Sequence, residues 1–250
     1  MDDGQAGGVT PGRGASVGIL MLETRFPRIP GDIGNAATWP FPVRYRVVRA
    51  ASPDRVVRHR AEGLLEAFIA AGRDLVDEGC DGITTSCGFL SLVQRDLAAA
   101  LEVPVATSSL MQVPMVDRLL PPGRRTGILT ISGSTLTQAH LAAAGVAADT
   151  PVGSTEGGRA FTRAILDDAP SLDVAAARAD TVEAAQAMQA AHPDLGALVL
   201  ECTNMTPFAA DISAATGLPV FTMESFVSWF QSGLVPRRYP AVGSPDHGIA

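Results

Sequence analysis

Two of the three cysteines in this 250-residue chain stand in the same local setting. Cys87 ends the run ITTSC and Cys202 ends the run LVLEC. Each apolar run predicts a buried strand, and a helix is predicted directly after each cysteine. In open α/β sheets ligands bind beyond the carboxyl ends of the strands, which is where both thiols are expected.

A pair of thiols in such positions has a specific chemical use. A helix N-terminus stabilises an anion, so we expect each thiol to have a pKa below its free value of about 8.5. Two such groups on opposite walls of one cleft suit stereoinversion: one thiolate removes a proton from a carbon and the other thiol delivers one to the opposite face. The third cysteine, Cys80, lies in a predicted helix-to-strand turn and is interpreted as a core residue.

The setting of the two cysteines is repeated because the chain itself looks duplicated. Shifting residues 82–105 by 115 places them on 197–220, and six of the 24 positions are then identical. Cys87 falls on Cys202, and Pro104, which flanks a strand, falls on Pro219. We therefore predict two pseudo-symmetric α/β lobes, each a short parallel sheet flanked by helices, with the active site in the cleft between them.

The coarse element pattern supports this architecture, since short apolar strands alternate with longer amphipathic segments. Strands are predicted at 17–22, 43–49, 82–85, 103–107, 126–131, 197–200 and 218–222. Helices are predicted at 54–78, 89–101, 110–119, 135–144, 159–168, 174–191, 206–215 and 224–231.

These elements divide the chain into five predicted segments. Residues 1–15 are Gly-rich and are expected to form a disordered leader, and residues 236–250 a tail. The N-terminal lobe is predicted at 16–120, the C-terminal lobe at 124–222, and a closing helix at 223–235. The boundary between the lobes is the Pro-Pro-Gly run that ends at Gly123.

Composition excludes several classes of function. A net charge of −7 and an isoelectric point near 5.0 argue against nucleic acid as a partner. All 19 basic residues are arginine, so neither a Schiff-base lysine for pyridoxal phosphate nor a P-loop lysine exists. No metal-ligand spacing joins the cysteines and histidines, and no cofactor is expected. The sequence shows no signal peptide or membrane span, which predicts a cytoplasmic protein without membrane contact.

The segment from Glu23 to Pro42 is long for a connection within an α/β unit, and such loops are usually functional or disordered. Its aromatics and prolines favour an ordered rim over the cleft. Arg25 and Arg28 are candidates for holding a substrate carboxylate, or are solvated surface charges. Asn35 is a further candidate for bonding a carboxylate or an amide.

With these residues in view, the chain resembles the aspartate/glutamate/hydantoin racemase superfamily over most of residues 17–232. The resemblance rests on the paired strand–Cys motifs, and it implies a two-lobe fold and cofactor-independent catalysis with Cys87 and Cys202 as acid and base. By the same resemblance several residues would contact substrate: Glu23, Thr85, Ser86, Thr203 and Asn204, together with the carboxylate cradle Ser132, Gly133 and Ser134.

The sequence departs from the family at two positions. Gly88 stands where amino-acid racemases commonly have Asn, and Asn204 stands where glutamate racemases have His, which weakens the case for glutamate as substrate. The expected function is an isomerase: a racemase or epimerase of a small carboxylate, such as an amino acid or a derivative. A one-thiol decarboxylase or cis-trans isomerase of a small diacid stays open, as do a non-catalytic two-lobe binding protein and a homodimeric state.

Overall fold

The computed structural model describes residues 14–236, which form two parallel sheets of four strands each. The predicted leader therefore lies outside the described residues except for its last two positions, and the predicted tail except for its first. The first sheet has the order β2-β1-β3-β4 and the second the order β6-β5-β7-β8. The strands are β1 Val17–Leu22, β2 Val43–Val48, β3 Gly82–Thr85, β4 Val105–Ala106, β5 Arg125–Thr130, β6 Val152–Ser154, β7 Leu195–Leu200 and β8 Val220–Phe221.

Helices cover both sheets. They are α1 Pro53–Val57, α2 Leu65–Asp77, α3 Gln94–Leu101, α4 Val113–Leu119, α5 Gln138–Ala143, α6 Phe161–Leu166, α7 Val174–Ala191, α8 Ala209–Thr216 and α9 Met223–Leu234. Short 3₁₀ helices occur at Ala36–Thr38, Gly88–Val93, Ser109–Gln112 and Thr203–Phe208. No helix among residues 14–236 is both long enough and apolar enough to cross a membrane.

The inner strands β1, β5 and β7 are buried along most of their length because both of their faces are covered. All six residues of β1 are buried, and β5 and β7 are buried at five of their six positions. Strands buried on both faces are typical of parallel sheets with helices on both sides. The predicted α/β fold with two pseudo-symmetric lobes is confirmed, since both sheets have the same strand order and the same parallel pairing.

Two features differ from the sequence-based expectation. The helix predicted at 54–78 is divided into α1 and α2, because Arg60, Ala61 and Gly63 adopt left-handed backbone angles between them. Strand β6 was not expected, since three residues at the edge of a sheet are too few to show an alternating pattern.

The lobes pack as one body. A single cluster of buried apolar side chains contains residues of both sheets and of the helices between them. Across the junction, the Ser109 hydroxyl donates to the carbonyl of Leu200 at 2.6 Å, and the Thr203 hydroxyl donates to the carbonyl of Ser86 at 2.7 Å. The second bond joins the segments after β3 and β7, so it fixes the two cysteine turns relative to each other.

Candidate active site

The two duplicated cysteines line one cavity between the lobes. Cys87 follows β3 and is the N-cap of the 3₁₀ helix at Gly88–Val93. Cys202 follows β7 and is the N-cap of the 3₁₀ helix at Thr203–Phe208. Both residues are buried, with 9% and 7% of their surface exposed. The two thiols share one cavity because the carboxyl ends of β3 and β7 face the junction of the two sheets.

The cavity has mainly apolar walls, and both lobes contribute to them. The apolar lining residues are Leu22, Phe26, Pro53, Val57, Phe89, Ile131, Ile165 and Leu166. The lining residues with polar or charged side chains, besides the cysteines, are Arg28, Ser86, Glu201, Thr203 and Asn204. A site of this composition excludes water and strengthens every electrostatic interaction inside it.

The thiols are not acidified in this structure, which corrects the expectation drawn from the helix N-termini. Burial raises the pKa of Cys87 far above its ordinary value, and the nearby Glu201 carboxylate raises it further. The pKa of Cys202 is raised by the same two causes in the same order. Backbone N–H groups of Phe89 and Asn204 oppose these shifts, but one turn of 3₁₀ helix does not outweigh full burial.

Glu201 is the functional candidate that the sequence reasoning missed. Its side chain is fully buried, and burial raises the pKa of its carboxyl group to about 7. One carboxylate oxygen, Oε2, accepts a hydrogen bond from the Thr130 hydroxyl at 2.7 Å, while Oε1 accepts none from the described residues. The sequence signal that could have pointed to Glu201 is the duplication. Glu201 stands directly before Cys202, at the position where Ser86 stands directly before Cys87.

The four residues predicted beside the thiols are all buried or half-buried near them. Ser86, Thr203 and Asn204 line the cavity. Thr85 does not line it, but its hydroxyl donates to the carbonyl of Thr107 at 2.6 Å and thereby fixes the end of β3. The Cys202 thiol donates a hydrogen bond to Oδ1 of Asn204, which lies 3.7 Å from the sulfur. This bond orients the thiol.

The predicted carboxylate cradle already holds a carboxylate of the protein itself. Ser132 Oγ donates to Glu156 Oε1 at 2.7 Å, and Ser134 N donates to Glu156 Oε2 at 3.1 Å. Burial alone raises the pKa of Glu156, but the hydrogen bonds from Ser134 and Ser132 bring it below its ordinary value. Gly133 lies close to the same side chain. The three cradle residues do not line the cavity, so their contact with a substrate stays a prediction.

The loop between β1 and β2 is ordered, and three of its predicted site residues face other partners. Glu23 accepts the N–H of Ala50 at 2.8 Å, and Asn35 donates to the carbonyl of Arg28 at 2.8 Å. Arg25 pairs with Asp168 of the opposite lobe at 3.0 Å. None of these three lines the cavity. Arg25 instead ties the loop that carries Phe26 to the end of α6, across the mouth of the site.

Arg28 is the loop arginine that reaches the cavity. Its guanidinium pairs with Asp32 at 3.0 Å, and its carbon Cζ lies 4.4 Å from the centre of the Phe26 ring. Asp32 in turn accepts the side chain N–H of Asn204 at 2.6 Å. A connected polar network therefore runs from Arg28 through Asp32 and Asn204 to the thiol of Cys202. It places one arginine at an otherwise apolar and acidic site, with its positive charge paired to Asp32.

Solved structures of known proteins share this two-lobe arrangement. A crystal structure of arylmalonate decarboxylase aligns with a TM-score of 0.58 and 16% identity over 88% of this chain and 92% of the other. Allantoin racemase from Klebsiella pneumoniae gives a TM-score of 0.59 and 18% identity over 88% and 87%, and Picrophilus torridus aspartate racemase gives 0.54 and 12% over 91% and 96%. The chain shares the two-lobe α/β fold of these decarboxylase and racemase structures.

The curated proteins that match this chain in sequence are named as lyases. A dimethylsulfoniopropionate lyase from Durusdinium sp. clade D is 27% identical over 93% of this chain and 78% of its own length. Dimethylsulfoniopropionate lyase 5 from Emiliania huxleyi is 27% identical over 91% of this chain, which spans 47% of that longer protein. No family model matches the sequence.

The candidate site shows no metal-binding cluster among residues 14–236: no three His, Cys, Asp or Glu side chains lie together as a metal ion requires. The groups that the site offers for chemistry are two thiols, one buried carboxyl group and one arginine. Both sets of comparisons return enzymes that act on small molecules by name, a racemase or decarboxylase in the structures and a lyase in the sequences.

Proposed function

We propose that this protein is an enzyme that removes a proton from the carbon next to the carboxylate of a small molecule, with Cys87 and Cys202 as the proton-handling groups. The observation that carries the proposal is that both thiols of the duplicated motif line one cavity. Thiols at the carboxyl ends of equivalent strands reach the same bound carbon from two sides.

Arg28 is the group proposed to hold the substrate carboxylate. Its guanidinium is mostly buried, with 14% of the side chain exposed, and it lines the same cavity as the thiols. A cation in an apolar environment attracts a carboxylate more strongly than a surface arginine does. Neutralising the carboxylate also stabilises the negative charge that develops on the neighbouring carbon when its proton leaves.

We infer that the deprotonated substrate goes on by β-elimination, because the curated relatives that cover 82–93% of this chain are dimethylsulfoniopropionate lyases. In that reaction one thiolate takes the α-proton and becomes a thiol. The electron pair of the C–H bond forms a carbon–carbon double bond, and the carbon–sulfur bond breaks with its pair on sulfur. A neutral sulfide and an unsaturated carboxylate leave, and the apolar walls suit such a leaving group.

Racemisation or epimerisation is the second candidate, and the presence of two thiols favours it. An elimination needs one base, whereas inversion needs a base on one face of the carbon and an acid on the other. The same cavity holds both groups. The fold neighbours include an aspartate racemase and an allantoin racemase, whose structures support this candidate at the level of the fold.

Proton exchange followed by NMR in D₂O tests the proposal and separates its two branches. The panel contains dimethylsulfoniopropionate, both enantiomers of acidic and neutral amino acids, hydantoins, and aryl- and alkylmalonates. The protein variants are wild type, Cys87→Ala, Cys202→Ala and the matched control Cys80→Ala, whose thiol is buried away from the cavity.

Release of dimethyl sulfide that depends on one or both cavity cysteines would establish the elimination. Deuterium uptake with loss of optical purity, absent in both cavity variants and kept in Cys80→Ala, would establish racemisation. Loss of carbon dioxide from a malonate that depends on a single cysteine would show a decarboxylase instead. Turnover unchanged in both cavity variants, or ligand-induced thermal stabilisation with no exchange on any compound, would overturn the proposal.

A further inference from the structure

Glu201 is the one charged side chain of the cavity whose role the proposed proton transfer leaves open. Its surface exposure is 0%, it lines the cavity, and its Oε1 atom accepts no hydrogen bond from the described residues. A buried carboxylate oxygen without a partner is costly, since the group has lost its hydration and gained no hydrogen bond in return. A group retained at that cost calls for a chemical explanation.

The position of Glu201 places it beside both thiols. It directly precedes Cys202 in the chain, and its Oε1 atom lies so near Gly88 that a methyl carbon on that glycine would be only 2.3 Å away. Gly88 directly follows Cys87. The carboxylate accordingly raises the pKa of both thiols, and on each it is the largest electrostatic influence after burial.

The other charged and titratable groups near this cluster are few. Arg28 acts on Cys87 and lowers its pKa, while Asp32 acts on Cys202 and raises it. The hydroxyl of Thr130, at the end of β5, donates a hydrogen bond to the Glu201 carboxylate, and the N–H of Ile131 also stabilises that carboxylate. Among the residues that line the cavity, Glu201 and the two thiols are the groups that can give up or accept a proton in the proposed reaction.

The number of negative charges that the cavity must hold determines how a thiol can become reactive. Forming a thiolate while Glu201 stays ionised would put two negative charges into one apolar cavity, and like charges that close disfavour each other strongly. Moving the thiol proton onto Glu201 leaves the cavity with one negative charge throughout. The two groups then titrate as a pair whose observed ionisations belong to the pair and not to either residue.

We propose that Glu201 and the reactive cysteine form one acid pair that holds a single negative charge, with Glu201 carrying that charge at rest and taking the thiol proton when the sulfur reacts. The S–H bond breaks, its electron pair stays on sulfur, and an O–H bond forms on Glu201. The thiolate then takes the substrate proton, so the S–H bond re-forms and the electron pair of the C–H bond stays on the substrate. This assignment rests on the proposed function.

The acid pair predicts a specific dependence of kcat/KM on pH. While Glu201 is protonated, loss of one proton from the pair is required for reaction, so kcat/KM rises about tenfold per pH unit below pH 7. Above about pH 7, where Glu201 is ionised, further alkali adds no reactive form and the profile is flat until a second proton leaves.

The near-isosteric variant Glu201→Gln removes the titrating carboxyl group and keeps the shape of the side chain. Its kcat/KM profile is expected to lose the plateau and to rise about tenfold per pH unit from pH 6 to pH 9. Thr130→Val keeps the carboxyl group but removes a hydrogen bond to its charged form, so the start of the plateau should move to higher pH. Glu183→Gln changes an exposed carboxylate of α7 that does not line the cavity and should leave the wild-type profile unchanged.

Thiol alkylation provides the same readout without any substrate. The rate at which iodoacetamide modifies Cys87 and Cys202, followed peptide by peptide by mass spectrometry, should level off above about pH 7 in the wild type and keep rising in Glu201→Gln. Cys80 serves as the internal reference, because it does not line the cavity and its rate should follow the same profile in both proteins.

A plateau present in the wild type and lost in Glu201→Gln supports the acid pair. Identical profiles in the wild type and Glu201→Gln, in both turnover and alkylation, would overturn it even if the cysteine variants abolish turnover. If the cysteine variants keep turnover, the proposed function fails, and the alkylation profile still decides whether Glu201 and a thiol share one charge.

Discussion

Gly88 and Glu201 lie in contact across the floor of the cavity, each on a different lobe. A methyl carbon on Gly88 would be 2.3 Å from Oε1 of Glu201 and 2.4 Å from its backbone carbonyl oxygen. The missing side chain at position 88 is therefore what gives the carboxyl group its place. The departure from the Asn of amino-acid racemases at this position is therefore linked to the buried acid, because a side chain at position 88 would occupy the space of the Glu201 carboxyl group.

This contact predicts that Gly88→Ala is disruptive. Separations of 2.3 and 2.4 Å force the backbone apart, so the free energy of unfolding should fall by about 1–3 kcal/mol and turnover should fall with it, because Glu201 is displaced. Urea denaturation and initial rates measure both effects. Gly157→Ala is the matched control, since no atom lies within 4 Å of its added carbon, and both quantities should stay near wild type. Equal behaviour of the two variants would contradict the packing argument.

The loop arginines predict a contrast in substrate binding. Arg28 lines the cavity, so Arg28→Gln should raise KM for a carboxylate substrate on the order of 10–100-fold through loss of a charge-assisted hydrogen bond. Arg25 is 69% exposed and pairs with Asp168, so Arg25→Gln should change KM only a few-fold. Steady-state kinetics of the two variants on one substrate make the comparison. A larger effect of Arg25 than of Arg28 would assign the carboxylate to the rim of the cavity.

Asp180 predicts how stability depends on pH. Burial alone raises the pKa of this carboxyl group, but N–H groups of Arg159, Phe161 and Ala160 bring it below its ordinary value. A carboxyl group with a lowered folded-state pKa stabilises the fold above its unfolded pKa of about 3.9, and that contribution is lost as the pH falls through the folded-state pKa.

The corresponding variant is Asp180→Asn, whose side chain keeps the shape but loses the charge. At pH 7 its free energy of unfolding should be roughly 1–3 kcal/mol below that of the wild type, since three backbone donors lose a charged acceptor. The difference should shrink as the pH is lowered below 4. Urea denaturation at both pH values measures it, and a difference that is independent of pH would show that the charge contributes nothing.

The position of the thiols could be predicted from sequence because it depends on local features. An apolar run sets where β3 and β7 end, and in α/β sheets ligand sites lie beyond the carboxyl ends of the strands. The duplication then related Cys87 to Cys202 without any knowledge of their distance. Fold and cysteine placement both follow from patterns within a few residues of each motif.

The electrostatics of the site could not be predicted in the same way, because they depend on contacts between distant segments. Glu156 fills the Ser132–Ser134 cradle from the turn after β6, 22 residues beyond Ser134. The direction of the thiol pKa shifts depends on complete burial and on Glu201, and neither is visible in the runs around the cysteines. Polar residues at strand ends can be located from sequence, but their partners are decided by packing.

The two lobes carry unlike residues directly before each cysteine, Ser86 before Cys87 and Glu201 before Cys202. In the proposed reaction an intermediate held between the thiols therefore meets two different walls: the first lobe contributes the Ser86 hydroxyl and the Arg28 guanidinium, and the second lobe contributes the Glu201 carboxyl group. The near-twofold symmetry of the scaffold does not extend to the chemistry. The cavity has a built-in handedness, and mirror-image molecules bound in it are distinguished by which face they turn toward the acid.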